Sequence, residues 1–384
     1  MKVLLLNNVP APYFLPLFER LGKTPGWQLT VCYTTNWNRT VGWQSATPTD
    51  HCSYKTVILD QLNPKLRDRI GSPMSAAVEL KKILDGEKPD YIICYGYTQK
   101  PQLLLLVWAI ITKTHFALIG DANYYFDRAR GLKRIAKSVW LRFVIKRASA
   151  LITIGKANRL FWEKYGASSS QLFYSRLAVD NDFFSEANDY HFRSEAAADW
   201  RARLKFDDNV VFLFVGRLIK RKNVNLIIQA TRLLNSTNFG VVIVGAGEEA
   251  EALKRLSGDK SNVYFAGNVA PNELPAFYRM ADVLVLPADD EPWGLVINEA
   301  MVCGLAIIAY KSCGATIDLV DPENGIALQG FLVEELAKAM QLLITDRRLL
   351  KIMQKNSRAK IRDWSIENAA KGIVLAVETT YHKK

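Results

Sequence analysis

Short unbroken apolar runs alternate along this chain with longer stretches in which apolar residues recur every three or four positions. The runs fall at residues 2–7, 29–33, 91–94, 116–120 and 151–154, then at 210–215, 240–244, 263–266, 283–286 and 306–309. Unbroken runs predict strands covered on both faces, hence a parallel sheet. Helical spacing occupies residues 75–84, 132–147, 224–234, 248–256 and 272–280. Two such series in succession predict an α/β fold of two doubly wound Rossmann-like domains, with ligands in an interdomain cleft at the carboxyl ends of the strands. The polar stretch 180–208 predicts the boundary: residues 1–185 form an N-terminal acceptor-binding domain and 186–365 a C-terminal donor-binding domain. A helical pattern at 333–362 closes the second domain, and a last helix at 366–384 is expected to pack back on the first. The first run is too short for a signal-peptide core and reads as a strand. The longest apolar run, residues 103–111, falls well short of the roughly 20 residues of a membrane span and predicts a buried helix.

At 384 residues, 49% hydrophobic and 23% charged, the chain has the composition of a soluble globular protein. Collagen-like, disordered and small disulfide-stapled classes are excluded. Its five cysteines are scattered without a CxxC pair, which suits a reducing, cytoplasmic compartment. The four histidines, at 51, 115, 191 and 382, have no ligand spacing, so no metal site is expected. The net charge of +12 is unevenly spread: residues 1–180 carry 25 Lys and Arg against 12 Asp and Glu, the remainder 25 against 26. A basic first half points to an anionic partner: a membrane surface, a nucleic acid or a phosphate-bearing substrate.

Two constellations could carry chemistry. In the first, a buried strand ends at Gly216, Arg217 follows, and Lys222 opens the next helix. A guanidinium and an ammonium beside a helix N-terminus can neutralise a diphosphate; a solvated basic loop is the plain alternative. In the second, Glu291 and Glu299 stand eight residues apart. Pro292 and Gly294 place Glu291 in a loop and start a helix near Gly294, with Glu299 about one turn inside. The N–H groups of Gly294 and Leu295 then offer a phosphate or hydroxyl site, although two solvated carboxylates on an amphipathic helix would look similar. Gly245-Ala246-Gly247 is a lone GxG, read as a tight strand-to-helix turn.

The order VGRLIKRKN, VGAGEE, NVYFAG and LPAFYRMADVLVLPADDEPWGLVINEAMVCGLAII, over roughly residues 207–330, resembles the retaining family 4 glycosyltransferases of the GT-B fold. That resemblance implies that Arg217 and Lys222 hold the donor diphosphate, with Gly216 at the turn before them. It implies that Glu299 holds the ribose hydroxyls, and that Glu291 binds the transferred sugar beside the N–H groups of Trp293, Gly294 and Leu295. Gly267, Asn268 and Val269 would border the base. It further implies a nucleotide-diphosphate sugar as substrate and no cofactor or required metal. The N-terminal half, with GDAN at 120–123, is similar to the family's acceptor domain. Its first loop reads Asn7-Asn8-Val9-Pro10 in place of a frequent Gly-Gly pair. Where many members place a histidine at a middle strand end, this chain has Gly120-Asp121; His115 is about 20 Å back along an extended strand. Asp121 is therefore the acceptor-side candidate, with a helix N-cap as its other reading.

In residues 128–147, Leu132, Ile135, Val139, Trp140 and Phe143 share one side of a helix, and Arg130, Arg134 and Lys137 the other. The apolar side is expected in the core and the basic side at an anionic membrane surface. The whole reads as a cytoplasmic or membrane-peripheral retaining hexosyltransferase acting on a glycan or lipid-linked acceptor in cell-surface polysaccharide or glycolipid synthesis. A sugar-nucleotide epimerase shares this fold, and a nucleic-acid or anionic-surface binding protein would explain the charge. No aromatic–basic RNA motif is present, so no nucleic-acid partner is expected.

Overall fold

Each of the two strand series closes into an all-parallel sheet. The protein is described by a computed structural model covering residues 1–35, 52–128, 130–185, 190–258 and 262–382. The first sheet comprises β1 (Lys2–Asn7), β2 (Gln28–Tyr33), β3 (Lys55–Ile58), β4 (Tyr91–Tyr95), β5 (His115–Ile119), β6 (Ala150–Thr153) and β7 (Leu172–Tyr174). Its order is β3-β2-β1-β4-β5-β6-β7. The second comprises β8 (Val210–Val215), β9 (Phe239–Val244), β10 (Val263–Gly267), β11 (Val283–Leu286), β12 (Ala306–Tyr310) and β13 (Gly325–Leu328), in the order β10-β9-β8-β11-β12-β13. In each sheet the direction of strand addition reverses once, at β1/β4 and at β8/β11. In open α/β sheets ligands bind beyond the carboxyl ends of the strands at such a point.

The chain divides into a unit of Met1–Leu177 with Ile366–Lys384 and a unit of Ala178–Ser365. In the first unit Leu4, Leu6, Cys32, Ile92, Cys94, Phe116, Leu118 and Leu151 point to one face of the sheet, where helices Ser72–Glu87, Lys100–Thr112 and Gly131–Ile145 cover them. Helices Leu15–Gly22 and Ile366–Tyr381 pack together elsewhere on the unit. Arg20 is ion-paired to Glu367, and Tyr91 Oη lies 2.7 Å from Thr380 Oγ1. A Cβ on Gly372 would stand 2.2 Å from the carbonyl oxygen of Tyr174, so glycine lets the last helix run against the end of β7.

Four expectations change. The 180–208 stretch, expected to hold the boundary, lies within the second unit: Asp180 caps a helical turn at Asn181–Phe184, and Tyr190–Leu204 is a helix. Trp200 packs on Phe277 with ring centroids 4.9 Å apart, and Arg201 pairs with Asp282 at 2.8 Å. Apolar anchors spaced this widely leave the stretch polar on average and helical nonetheless. The pattern at 333–362 is two helices, Val333–Thr345 and Arg347–Ile361, because Asp346 caps the second by accepting from the Leu349 N–H at 2.8 Å. The helix over the longest apolar run buries Leu105, Leu106 and Ala109 but leaves Val107 and Ile111 in solvent.

The fourth change is the largest. In helix Gly131–Ile145 the core side is Leu141, Val144 and Ile145, with Trp140 half-buried beside them. Leu132, Ile135, Val139 and Phe143 are exposed. Lys137, placed on the solvent side by sequence, reaches inward to Asp127 at 2.7 Å. No helix among the described residues is long and apolar enough to cross a membrane.

Candidate functional site

The carboxyl-end loops of the second sheet are tied to one another by backbone hydrogen bonds. Gly216 N–H donates to Val244 O at 3.0 Å, Leu218 N–H to Ala246 O at 2.9 Å, and Gly245 N–H to Gly267 O at 2.7 Å. Gly245, at φ +138°, permits this approach: a Cβ there would lie 1.9 Å from the carbonyl oxygen of Gly216. The GAG turn is thus a packing device that lets the β9 loop press against the β8 loop. That loop carries Arg217, half-buried at the strand end, and then a single 3₁₀ turn, Lys220–Lys222. Lys222 therefore closes a turn instead of opening a helix. Left-handed Asn223 separates it from the helix Val224–Thr231.

A second set of bonds crosses the switch point. Asn223 Nδ2 donates to Pro287 O at 3.0 Å, Asp289 N–H to Arg221 O at 2.7 Å, and Arg221 Nη1 to Asp290 O at 2.7 Å. These bonds hold the β11 loop against the β8 loop and bring Lys222 into an ion pair with Glu291. The two side chains are 12% and 13% exposed, little enough for the charges to need one another. Arg221 adds a second cation at 3.7 Å from Glu291.

Beyond Glu291 the loop turns inward. The indole of buried Trp293 donates to Asn298 Oδ1 at 3.0 Å and packs on Trp364, and its carbonyl accepts from Ala315 N–H at 2.8 Å. Trp293 thus anchors the loop through its side chain. Gly294 at φ +95° starts the helix Leu295–Cys303 and supplies no side-chain cap. Ile297 N–H donates to Gly294 O at 2.9 Å, and the N–H groups of Leu295 and Val296 precede the first helical acceptor, where they can bind an anion or a hydroxyl beside the Lys222–Glu291 pair.

Glu299 is the fifth residue of this helix. Its carboxylate accepts from Tyr278 Oη at 2.5 Å. Burial pushes the carboxyl from 4.5 up to about 7, against the downward pull of the Tyr278 hydrogen bond. Gly267, at φ +71°, ends β10, and exposed Asn268 and half-buried Val269 follow it at the same end of the sheet.

In the first unit Asp121 follows β5 at the carboxyl rim. Burial first, and then the charge of Asp121, push the Tyr13 phenol up to about 12, and the same causes raise that of Tyr95. Asp121 is therefore close to the first loop and to the end of β4. The capping role goes to Asn123, whose side chain accepts from Tyr125 N–H at 2.9 Å. Asn8 Oδ1 accepts from Gln102 Nε2 at 2.8 Å, so the loop without glycines is braced by the next helix along the sheet.

Sequence reasoning passed over Tyr278 and Arg221, and noted Asn7 only as part of a first loop without glycines. Tyr278 and Arg221 act through partners 21 and 69 residues away, which no local spacing reveals. The Asn7 Nδ2 is buried without a hydrogen-bond partner at the β1/β4 switch point, and only its position at a strand end marked it.

Two parallel α/β units, each with one reversal of strand order, agree with the two-domain Rossmann-like fold called GT-B. Residues 197–360 match the family model for glycosyl transferases group 1. In sequence the chain is similar to the GDP-mannose-dependent alpha-(1-6)-phosphatidylinositol monomannoside mannosyltransferase of Mycolicibacterium smegmatis, at 28% identity over 240 residues. That match covers 59% of this chain and 60% of the relative, less than two thirds of its length. In structure the chain is similar to Anabaena HepE in complex with UDP and glucose, at TM-score 0.73 and 19% identity over 99% and 100% of the two chains. It is similar also to sucrose-phosphate synthase from Thermosynechococcus elongatus, at TM-score 0.77 and 18% identity over 100% of both.

Proposed function

We propose that this protein is a retaining glycosyltransferase of the family 4 type that moves a sugar from a nucleoside diphosphate to a glycan or lipid-linked hydroxyl. The observation that carries the reading is the Lys222–Glu291 pair held beside the uncapped start of helix Leu295–Cys303, one helical turn from Glu299. The diphosphate takes Glu291's place on Lys222 and is neutralised by Arg217 and the helix N–H groups. Glu291, released, accepts hydroxyls of the sugar. Glu299 accepts from the ribose hydroxyls, with Tyr278 fixing its orientation. Gly267, Asn268 and Val269 edge the base.

In the transfer, the bond between the anomeric carbon and the diphosphate oxygen breaks as the acceptor oxygen bonds to the same face. The acceptor proton passes to the departing diphosphate. Stabilising negative charge on that leaving group is the largest contribution expected from the protein, and Arg217 and Lys222 supply it without a metal. On the first unit, Asp121 is the carboxylate read as accepting from an acceptor hydroxyl. The lipid or glycan acceptor is supported by the mycolicibacterial relative, whose name specifies a phosphatidylinositol mannoside substrate.

Thermal stabilisation by UDP, GDP, ADP and TDP, on wild type and on Glu299→Ala, tests the donor site. A nucleotide at 100 times its dissociation constant should stabilise by about 2.7 kcal/mol. One base should shift wild type more than the variant. No shift with any of the four would remove the donor site and the reading with it.

A further inference from the structure

Helix Gly131–Ile145 has two apolar faces on opposite sides. Leu141, Val144 and Ile145 are fully buried against the sheet. Leu132, Ile135, Val139 and Phe143, at spacings of three, four and four residues, form a stripe pointing the other way. Their exposures are 84%, 60%, 65% and 41%. All six residues from Gly131 to Ala136 are exposed, so the first turns of the helix stand clear of the unit's core. Burying such side chains is favourable, and four in a row left in water mark a surface that another body covers.

The surrounding charge identifies that body. Residues 128–147 hold eight Lys and Arg and no Asp or Glu. Of these, Arg128, Arg130, Lys133, Arg134, Arg142, Lys146 and Arg147 are exposed, while Lys137 is spent on Asp127. A second copy of this chain would bring two sets of like charges together. A nucleic acid would use the charges but not the aliphatic stripe. An aliphatic stripe rimmed by basic side chains matches an anionic lipid leaflet: the stripe enters the acyl boundary and the cations stay among the headgroups. Tyr124 and Tyr125, exposed in the turn just before the helix, have the amphipathic rings that settle at this depth.

We propose that helix Gly131–Ile145 docks the first unit on an anionic membrane surface through Leu132, Ile135, Val139 and Phe143. Because the helix begins where the β5 loop ends, docking places the carboxyl rim that bears Asp121 next to the leaflet. The inference stands apart from sugar transfer, since it needs only the exposed stripe and its charges.

The test is flotation of the full chain with vesicles of phosphatidylcholine alone and with about one third phosphatidylglycerol, at low and high salt. Wild type, Leu132→Ser/Ile135→Ser/Val139→Ser and Lys133→Glu/Arg134→Glu are compared. Each basic residue near an anionic leaflet is worth about fivefold in partitioning. Wild type should therefore prefer anionic vesicles at least about tenfold, the charge reversal should abolish the preference, and the triple variant should lose binding to both. The melting temperature and the nucleotide shift of the variants should match wild type, which separates failure here from failure of the donor site. Ile135→Asp alone repeats the measurement should the triple variant not fold. Equal partition of wild type to both vesicles, or full binding by the triple variant, would overturn the proposal. So would a wild-type dimer that the triple variant turns into a monomer, which would assign the stripe to a second copy.

Discussion

Tyr278 and Glu299 join two helices of the second unit through one short hydrogen bond, the phenol donating to the carboxylate at 2.5 Å. Burial raises the Glu299 carboxyl to about 7 from 4.5. A group whose folded pKa is raised keeps its full stability below the unfolded value and loses it as pH rises through the folded one. The free protein should therefore lose part of its stability between about pH 4.5 and 7 on account of this residue. Glu299→Gln should lack that decline. Melting temperatures of both proteins from pH 4 to 8 check it; a difference between them that does not change with pH would show that Glu299 ionises normally.

Ribose hydroxyls donating to Glu299 favour its ionised form, so nucleotide binding near neutrality should release a proton. Calorimetric titration at pH 6.5 in two buffers of different ionisation enthalpy measures it. Tyr278→Phe removes a donor to the charged form, which should deepen the proton release and weaken binding about tenfold at pH 7. Nucleotide binding without proton exchange in either protein would contradict the assignment of Glu299 to the ribose.

Lys222→Met leaves the Glu291 carboxylate largely enclosed with the more distant Arg221 beside it. The expected cost is about 1–3 kcal/mol in urea unfolding. The sugar-transfer rate should fall about 100- to 1,000-fold, the scale of a lost leaving-group stabiliser. Glu291→Gln should leave the nucleotide shift intact and reduce turnover with the intact sugar donor, because Glu291 is assigned to the sugar and not to the nucleotide.

Gly245→Ala puts a methyl group 1.9 Å from the carbonyl oxygen of Gly216 and strains a φ of +138°. It should destabilise the protein by about 3 kcal/mol or more and displace the loop carrying Arg217, so nucleotide stabilisation is lost with it. Gly26→Ala has a similarly positive φ of +77° with nothing within 4 Å, and should cost about 1–2 kcal/mol without affecting nucleotide. Equal effects of the two substitutions would mean that the β8 and β9 loops are not in contact.

The acid side of the pH range reports on helix Gly131–Ile145. Burial alone would raise the Asp127 carboxyl, but hydrogen bonds from Lys137, Lys164 and Tyr165 hold it at about 2, below its usual 3.8. Its contribution is present above pH 3.8 and is lost as pH falls towards 2. Asp127→Asn should lower stability at neutral pH and flatten the acid transition, read by urea midpoints at pH 7 and pH 3.

The central strands were legible because chemistry at each position repeats along the run: β8 and β11 are apolar throughout, β1 is apolar between Lys2 and Asn7, and their limits agree with the sequence pattern. The strands that escaped, β3, β7 and β13, lie at sheet edges and are only partly covered. An edge strand meets water on one side, so its residues need not form an apolar run. In the candidate site, the start of helix Leu295–Cys303 was legible because Pro292 and Gly294 act on their own backbone. The Lys222–Glu291 and Tyr278–Glu299 contacts were not, because they join segments that only the folded sheet brings together.

Sequence by itself determined which residues form central strands, where the glycine turns fall and which acidic and basic groups stand at strand ends, since these follow from local sterics and from period. Tertiary structure alone decided which face of helix Gly131–Ile145 is buried. Both faces are apolar, and periodicity identifies a stripe without saying what lies against it. Leu141, Val144 and Ile145 won the sheet, and Leu132, Ile135, Val139 and Phe143 were left to meet another surface.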